Sequence, residues 1–188
     1  MDKKKLVGTI VGVVFFVALI AGATFAWLTF AINVTNNTVS SGTMNFSVSY
    51  SNGNGSITNV PILGTATPTT ASHVTITANK VSGSAPGNLT LYLNTTTAEI
   101  NDLIEDGAIH YAVCVEECTA IDGDSLAENV HTGTITSLER TPLLADTPLQ
   151  STATQYHVYF WLDGEIITDT HIDQSYAGYI SAEAVQTD

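Results

Sequence analysis

The sequence predicts an all-β protein: a jelly-roll-like β-sandwich with one short helix, preceded by an N-terminal hydrophobic signal segment. Three observations point there. Short segments with two-residue hydrophobic alternation recur along the chain. Clusters of Gly, Asn, Ser and Pro separate them at roughly 8–12-residue intervals. Only one segment carries a persuasive helical spacing.

Taken in order, the first element is a leader. MDKKK is a positive start, LVGTIVGVVFFVALI is apolar, and AGATFA is small, with Thr24 and Ala26 where a signal peptidase cuts. Residues 1–26 therefore read as a signal peptide cleaved after Ala26. The other reading is a retained anchor, because apolar character continues from Leu6 to Ile32, longer than the ~20 residues a bilayer needs. The lysines hold the N-terminus inside in either case, and the body lies outside the membrane.

Residues 27–35, WLTFAINVT, put Leu28, Phe30, Ile32 and Val34 on one face of a strand. NNTVSSG reads as a turn or linker. GTMNFSVSY alternates again through Met44, Phe46, Val48 and Tyr50. SNGNGS is a loop, and residues 57–62 form a short strand ended by Pro61 and Gly64. HVTITANK places Val74, Ile76 and Ala78 together, and LTLYLN does the same for Leu89, Leu91 and Leu93.

TTAEINDLIEDG is the one helix, with Thr96 or Thr97 as its N-cap, Ile100, Leu103 and Ile104 on one face, and Gly107 at its C-cap. AIHYAVCV reads as a strand, residues 119–131 as loop, Ile135 and Leu138 as weak strand signals, and residues 139–154 as irregular. QYHVYFWLDG is the strongest strand, with Tyr156, Val158, Phe160 and Leu162 opposing His157, Tyr159 and Trp161. Asp163-Gly164-Glu165 reads as a hairpin turn. YAGYISAEAV closes the fold. Residues 36–188 are taken as one domain, long enough for a real core.

Composition removes several functions. The chain has 188 residues, five Lys and Arg, and 18 Asp and Glu. Three of the bases are Lys3, Lys4 and Lys5. After Leu6, Lys80 and Arg140 face 17 acids, a net charge of −15. No basic patch remains to neutralise phosphates, so nucleic acid is excluded as a partner. No P-loop, G-x-G-x-x-G or G-x-S-x-G motif occurs, so no cofactor is expected.

The remaining chemistry is sparse. Cys114 and Cys118 are the only cysteines, and CVEEC can bridge itself across a tight turn or carry two thiols in strand positions. The five His residues show no metal-ligand spacing, and His157 reads as a sheet-surface residue. Asp122, Asp124 and Glu128 form a weak calcium candidate that fails the EF-hand pattern, and a solvated loop is the other reading. Sequons begin at Asn33, Asn36, Asn45, Asn54, Asn88 and Asn94. The strand at 27–35 carries the most functional content. It either folds back into its own domain or leaves to complete a neighbouring subunit by strand addition, a contact that builds filaments.

Three segments, ATFAWLT, VSSGTMNFSV and YHVYFWLDGEIITDTHIDQSYAGYISAEAVQ, together resemble the TasA/camelysin family of exported biofilm-matrix fibre proteins, related to archaeal bundling pilins. The match covers both ends of the chain and not the middle. The resemblance implies a non-enzymatic jelly-roll subunit of extracellular fibres, freed by a signal peptidase and polymerising head to tail. It implies that Leu28, Phe30, Ile32 and Val34 are donor side chains and that Ala26 ends the signal. The metalloprotease activity ascribed to camelysins is not carried over, since no zinc motif is present. The alternatives are a membrane-tethered adhesion module, if residues 1–26 stay attached, and a surface metalloprotease. A body this acidic repels its own copies, so assembly is expected to need salt, divalent cations or acid.

Overall fold

A computed structural model describes residues 37–41, 44–57, 60–97, 99–123 and 126–187. The signal segment with Ala26, the strand at 27–35 with Leu28, Phe30, Ile32 and Val34, and Asp124 lie outside the described residues. All the described residues fall within one compact unit, Ile32–Asp188.

Eleven strands are described: β1 (Asn37–Ser41), β2 (Met44–Tyr50), β3 (Ser56–Ile57), β4 (Ile62–Leu63), β5 (Ser72–Lys80), β6 (Gly87–Thr95), β7 (Ile109–Val115), β8 (Val130–Ile135), β9 (Thr141–Pro148), β10 (Thr154–Asp163) and β11 (Gly178–Gln186). They form two sheets. One runs β1-β2-β5-β10-β7-β8, with β4 added in parallel to the end of β10. The other runs β3-β11-β6-β9. Apart from the β4–β10 pair, every pairing is antiparallel.

Two-residue alternation decides which face each strand buries. Val48, Ile76 and Val158 from the first sheet share one core with Leu89, Leu91, Leu93 and Ile180 from the second. The three leucines of β6 are wholly buried. Trimming any one of them to Ala costs about 2–5 kcal/mol through lost transfer energy and the cavity left behind.

The strongest strand departs from simple alternation. His157, Tyr159 and Trp161 of β10 are buried although they face away from the main core. A second apolar cluster of Ala66, Ala112, Cys114, Ile121, Tyr159 and Trp161 covers that face. His157, expected on the sheet surface, is therefore an interior residue. The cover comes from loop positions such as Ala66 and Ile121, which periodicity within β10 cannot reveal.

Several elements differ from the sequence expectation. The helix, α1, spans only Asp102–Glu105, and Asn101 caps it by accepting from the Ile104 N–H. Thr96 and Thr97 both donate their backbone N–H to the Ala177 carbonyl, which holds them outside the helix. Residues 37–41, expected as a turn, are an edge strand on β2. The expected strand at 57–62 is instead two short strands in different sheets, β3 and β4. Residues 141–148, expected as irregular, pair with β6 through register shifts, and Asp146 there has φ 50°. Asp163-Gly164-Glu165 is no hairpin turn. Asp163 Oδ1 accepts from the Glu165 N–H, and the chain passes through a 3₁₀ turn at Asp169–His171 to the other sheet.

Among the described residues no helix is long and apolar enough to cross a membrane.

Candidate functional site

β11 is paired unequally on its two edges. Along one edge all nine residues pair with β6. Along the other, β3 covers only Gly178 and Tyr179. One further bond follows, from the Ile180 N–H to the Gly55 carbonyl at 2.9 Å. That bond needs a glycine. Gly55 has φ +71°, and a Cβ there would stand 2.7 Å from the Ile180 carbonyl oxygen.

Backbone groups alternate sides along an antiparallel strand. Ile180 bonds outward, so Ala182 and Ala184 also direct their N–H and C=O groups to the outer edge. No strand among the described residues pairs with them there. An unpaired edge is a template for another strand, although Ala182 itself is wholly buried here and Ala184 half-buried. Ala182 and Ala184 are also the small residues of the core-facing row that Ile180 begins, and both contact the main core.

Tyr50, at the end of β2, approaches this edge from the first sheet. Its hydroxyl is buried with no hydrogen-bond partner of good geometry. Burial pushes the phenol up to about 12, partly offset by the nearby backbone of Ala182. The hydroxyl thus stands near Ala182, where the outer edge of β11 has no strand partner among the described residues.

The outer face of the same strand is closed by polar contacts. Arg140 meets Glu183 at 2.6 Å and lies 3.5 Å over the Tyr92 ring. Its guanidinium also donates to Ser181 Oγ at 3.3 Å, and Asn94 donates to the same oxygen at 2.7 Å. β11 is thus fixed to β6 and to the start of β9, which keeps its free edge rigid.

The other sequence candidates fall elsewhere. Cys114 and Cys118 are joined by a disulfide, with Cα atoms 6.0 Å apart. Glu116 takes φ 61° between them, which turns the chain back on itself. Asp122 uses both carboxylate oxygens on backbone donors, Gly123 N–H and Ala66 N–H, each at 2.9 Å. It ties the loop at 121–123 to the loop at 66, and Glu128 is exposed. Among the described residues no group of three or more His, Cys, Asp or Glu stands where a metal could be held.

No motif or spacing signals the histidine pair that the fold brings together. His73 Nε2 and His157 Nδ1 lie 2.9 Å apart, within hydrogen-bond distance, while Tyr159 stacks on His73 at 4.5 Å. His157 Nε2 is buried without a partner. Burial, then the charge of His157, holds His73 below the ordinary histidine value. Tyr50 was read only as a core position of its strand, and Ala182 and Ala184 were not singled out; the signal of the two alanines was the change from large to small residues at alternate positions in YISAEAV.

Compared with protein-family models, with curated proteins and with solved structures, the chain matches none.

Proposed function

We propose that this protein is the secreted structural subunit of an extracellular fibre, and that it polymerises by giving its mature N-terminal strand to a neighbour. In this reading residues 1–26 are removed after Ala26. Residues 27–35 then leave their own subunit and pair with the outer edge of β11 in the next. Leu28, Phe30, Ile32 and Val34 pack alongside Ala182 and Ala184. The two sheets are read as a jelly-roll-like sandwich whose last strand is supplied in trans.

The single observation that carries this reading is the unequal pairing of β11, full on the β6 side and short on the other. Six residues of β11, Ser181–Gln186, follow Ile180, so a nine-residue strand spans that stretch and extends past it. The orphaned Tyr50 hydroxyl fits too, because an incoming backbone supplies its missing partner. The resemblance to the TasA/camelysin family supports the same arrangement. Successive copies joined in this way make a heterologous contact that does not close on itself, which produces filaments.

The experiment is a comparison of residues 27–188 with a chain lacking 27–35 and with Ala184→Pro. Proline removes the outward N–H of Ala184, a bond the subunit does not use for itself. Filaments are expected from the first protein and from neither of the others. Filaments from the deletion would remove strand donation. Filaments from Ala184→Pro would move the acceptor away from β11.

A further inference from the structure

A cavity of about 210 Å³ lies on the face of the first sheet turned away from the main core, beside β7 and β8. It is separate from the β11 edge, which belongs to the other sheet, and its role does not depend on strand donation. Ile121 and Trp161, both buried, lie beneath it and form its apolar floor. His110, Asp122, Thr132 and Thr134 supply its polar groups.

Size limits the occupant first. Drug-sized ligands fill pockets of roughly 300–1,000 Å³, so this space takes one ring-sized molecule. Charge limits it next. No Lys or Arg lines the cavity, Asp122 carries a carboxylate, and His110 lies 3.6 Å from the Asp163 carboxylate. An anion is therefore disfavoured. The Asp122 charge is already steadied by two backbone N–H donors, so it does not demand a cation. Each of its oxygens still has accepting capacity for a hydroxyl.

Donors and acceptors then select among neutral molecules. The hydroxyls of Thr132 and Thr134 are on the exposed edge strand β8 and can both donate and accept. The His110 and Trp161 rings, 5.6 Å apart and tilted by 60°, form an aromatic corner. The half-buried His110 ring, set over the buried indole and opposite hydroxyls and a carboxylate, suits a ring with one C–H face and several O–H groups. We infer that this cavity binds a single neutral sugar residue, either free or at the end of a surface glycan.

The test uses the full-length chain in a detergent without a sugar headgroup, with Trp27→Phe so that Trp161 is the one indole. N-acetylglucosamine, glucose and galactose are titrated separately while Trp161 emission is followed. At least one is expected to give a saturable change, and Thr134→Val or Thr132→Val to weaken it about tenfold. Both are β-branched replacements on an exposed edge strand, and a retained thermal midpoint shows that they still fold. The inference is overturned if no sugar gives a saturable change up to about 100 mM. It is equally overturned if both valine variants bind as the parent does, or if methylammonium gives the change and the sugars do not.

Discussion

Ile180 donates its backbone N–H to the Gly55 carbonyl at 2.9 Å, and beyond that bond β11 has no outer strand partner at Ala182 or Ala184 among the described residues. The loop at 51–55 closes one end of the edge; beyond it strand pairing stops, with Ala182 fully buried and Ala184 half-buried. The proposed donor strand begins its work at that point.

Gly55→Ala tests the closed end. The new Cβ would meet the Ile180 carbonyl oxygen at 2.7 Å, and φ +71° is a strained value for alanine. The substitution is expected to cost about 1–3 kcal/mol, read as a lower midpoint in urea. An unchanged midpoint would mean that the loop does not hold β11.

Tyr50→Phe separates the subunit from the fibre. Removing a buried hydroxyl that has no partner leaves the isolated subunit as stable as before or slightly more so. Fibre growth is expected to slow, because the incoming backbone loses a bond. The pH dependence gives a second readout. The Tyr50 phenol rises from 10.0 to about 12 in the folded state. A folded value above the unfolded one means its contribution is whole below pH 10 and is lost as pH climbs towards 12. Thermal midpoints between pH 9 and 12 should therefore fall less steeply for Tyr50→Phe than for the parent.

The histidine pair sets the acid side. His73 is held below the ordinary histidine value of 6.5, first by burial and then by His157. A depressed folded value means the contribution is present above pH 6.5 and lost as pH falls through the folded value. Thermal midpoints measured from pH 7.5 to 5 should decline, and His73→Gln should flatten that decline. An equal decline in both would assign the acid sensitivity to other groups.

The disulfide is expected to contribute modestly. A loop this short removes little entropy from the unfolded chain, about 2 kcal/mol. Its position gives it a further effect, because Cys114 and Cys118 both belong to the cluster that covers Tyr159 and Trp161. Reduction should lower the urea midpoint and accelerate amide exchange at Ile121 before it does so at Ile76. Uniform acceleration would show that the covering loop is not held by the bridge.

Legibility of the fold followed the physics of each segment. Val74, Ile76 and Ala78 of β5, and Leu89, Leu91 and Leu93 of β6, were readable because alternation is enforced where one face is buried. β9 was not readable. Leu143 and Leu144 are both buried and adjacent, and the irregularity near Asp146 interrupts the period of two. β1 is polar and holds its place by backbone pairing with β2, which leaves little hydrophobic pattern. The helix start was misplaced because a contact 80 residues away, from Thr96 and Thr97 to Ala177, overrides the local capping signal.

The candidate edge was legible only in part. A donor strand announces itself by hydrophobic alternation near the N-terminus, as WLTFAINVT does. An acceptor edge is defined by what does not pair with it, and no residue type encodes that. Asp122 was noticed as a possible ligand for calcium, yet its oxygens join two loops.

Charge gives a condition for assembly. Outside the N-terminal lysines the chain carries 17 acids against two strong bases. Neighbouring subunits therefore repel, and screening relieves the repulsion over ~10 Å at 0.1 M salt. Fibre growth followed by light scattering should accelerate between low salt and about 0.2 M sodium chloride. A rate that falls with salt would contradict this reading.

The most direct measurement of the central claim is electron microscopy of residues 27–188 beside the same protein carrying Ala184→Pro and the protein lacking 27–35. Strand donation into β11 predicts regular filaments from the first sample and dispersed, folded particles from the other two. Filaments of the same appearance in all three would contradict it.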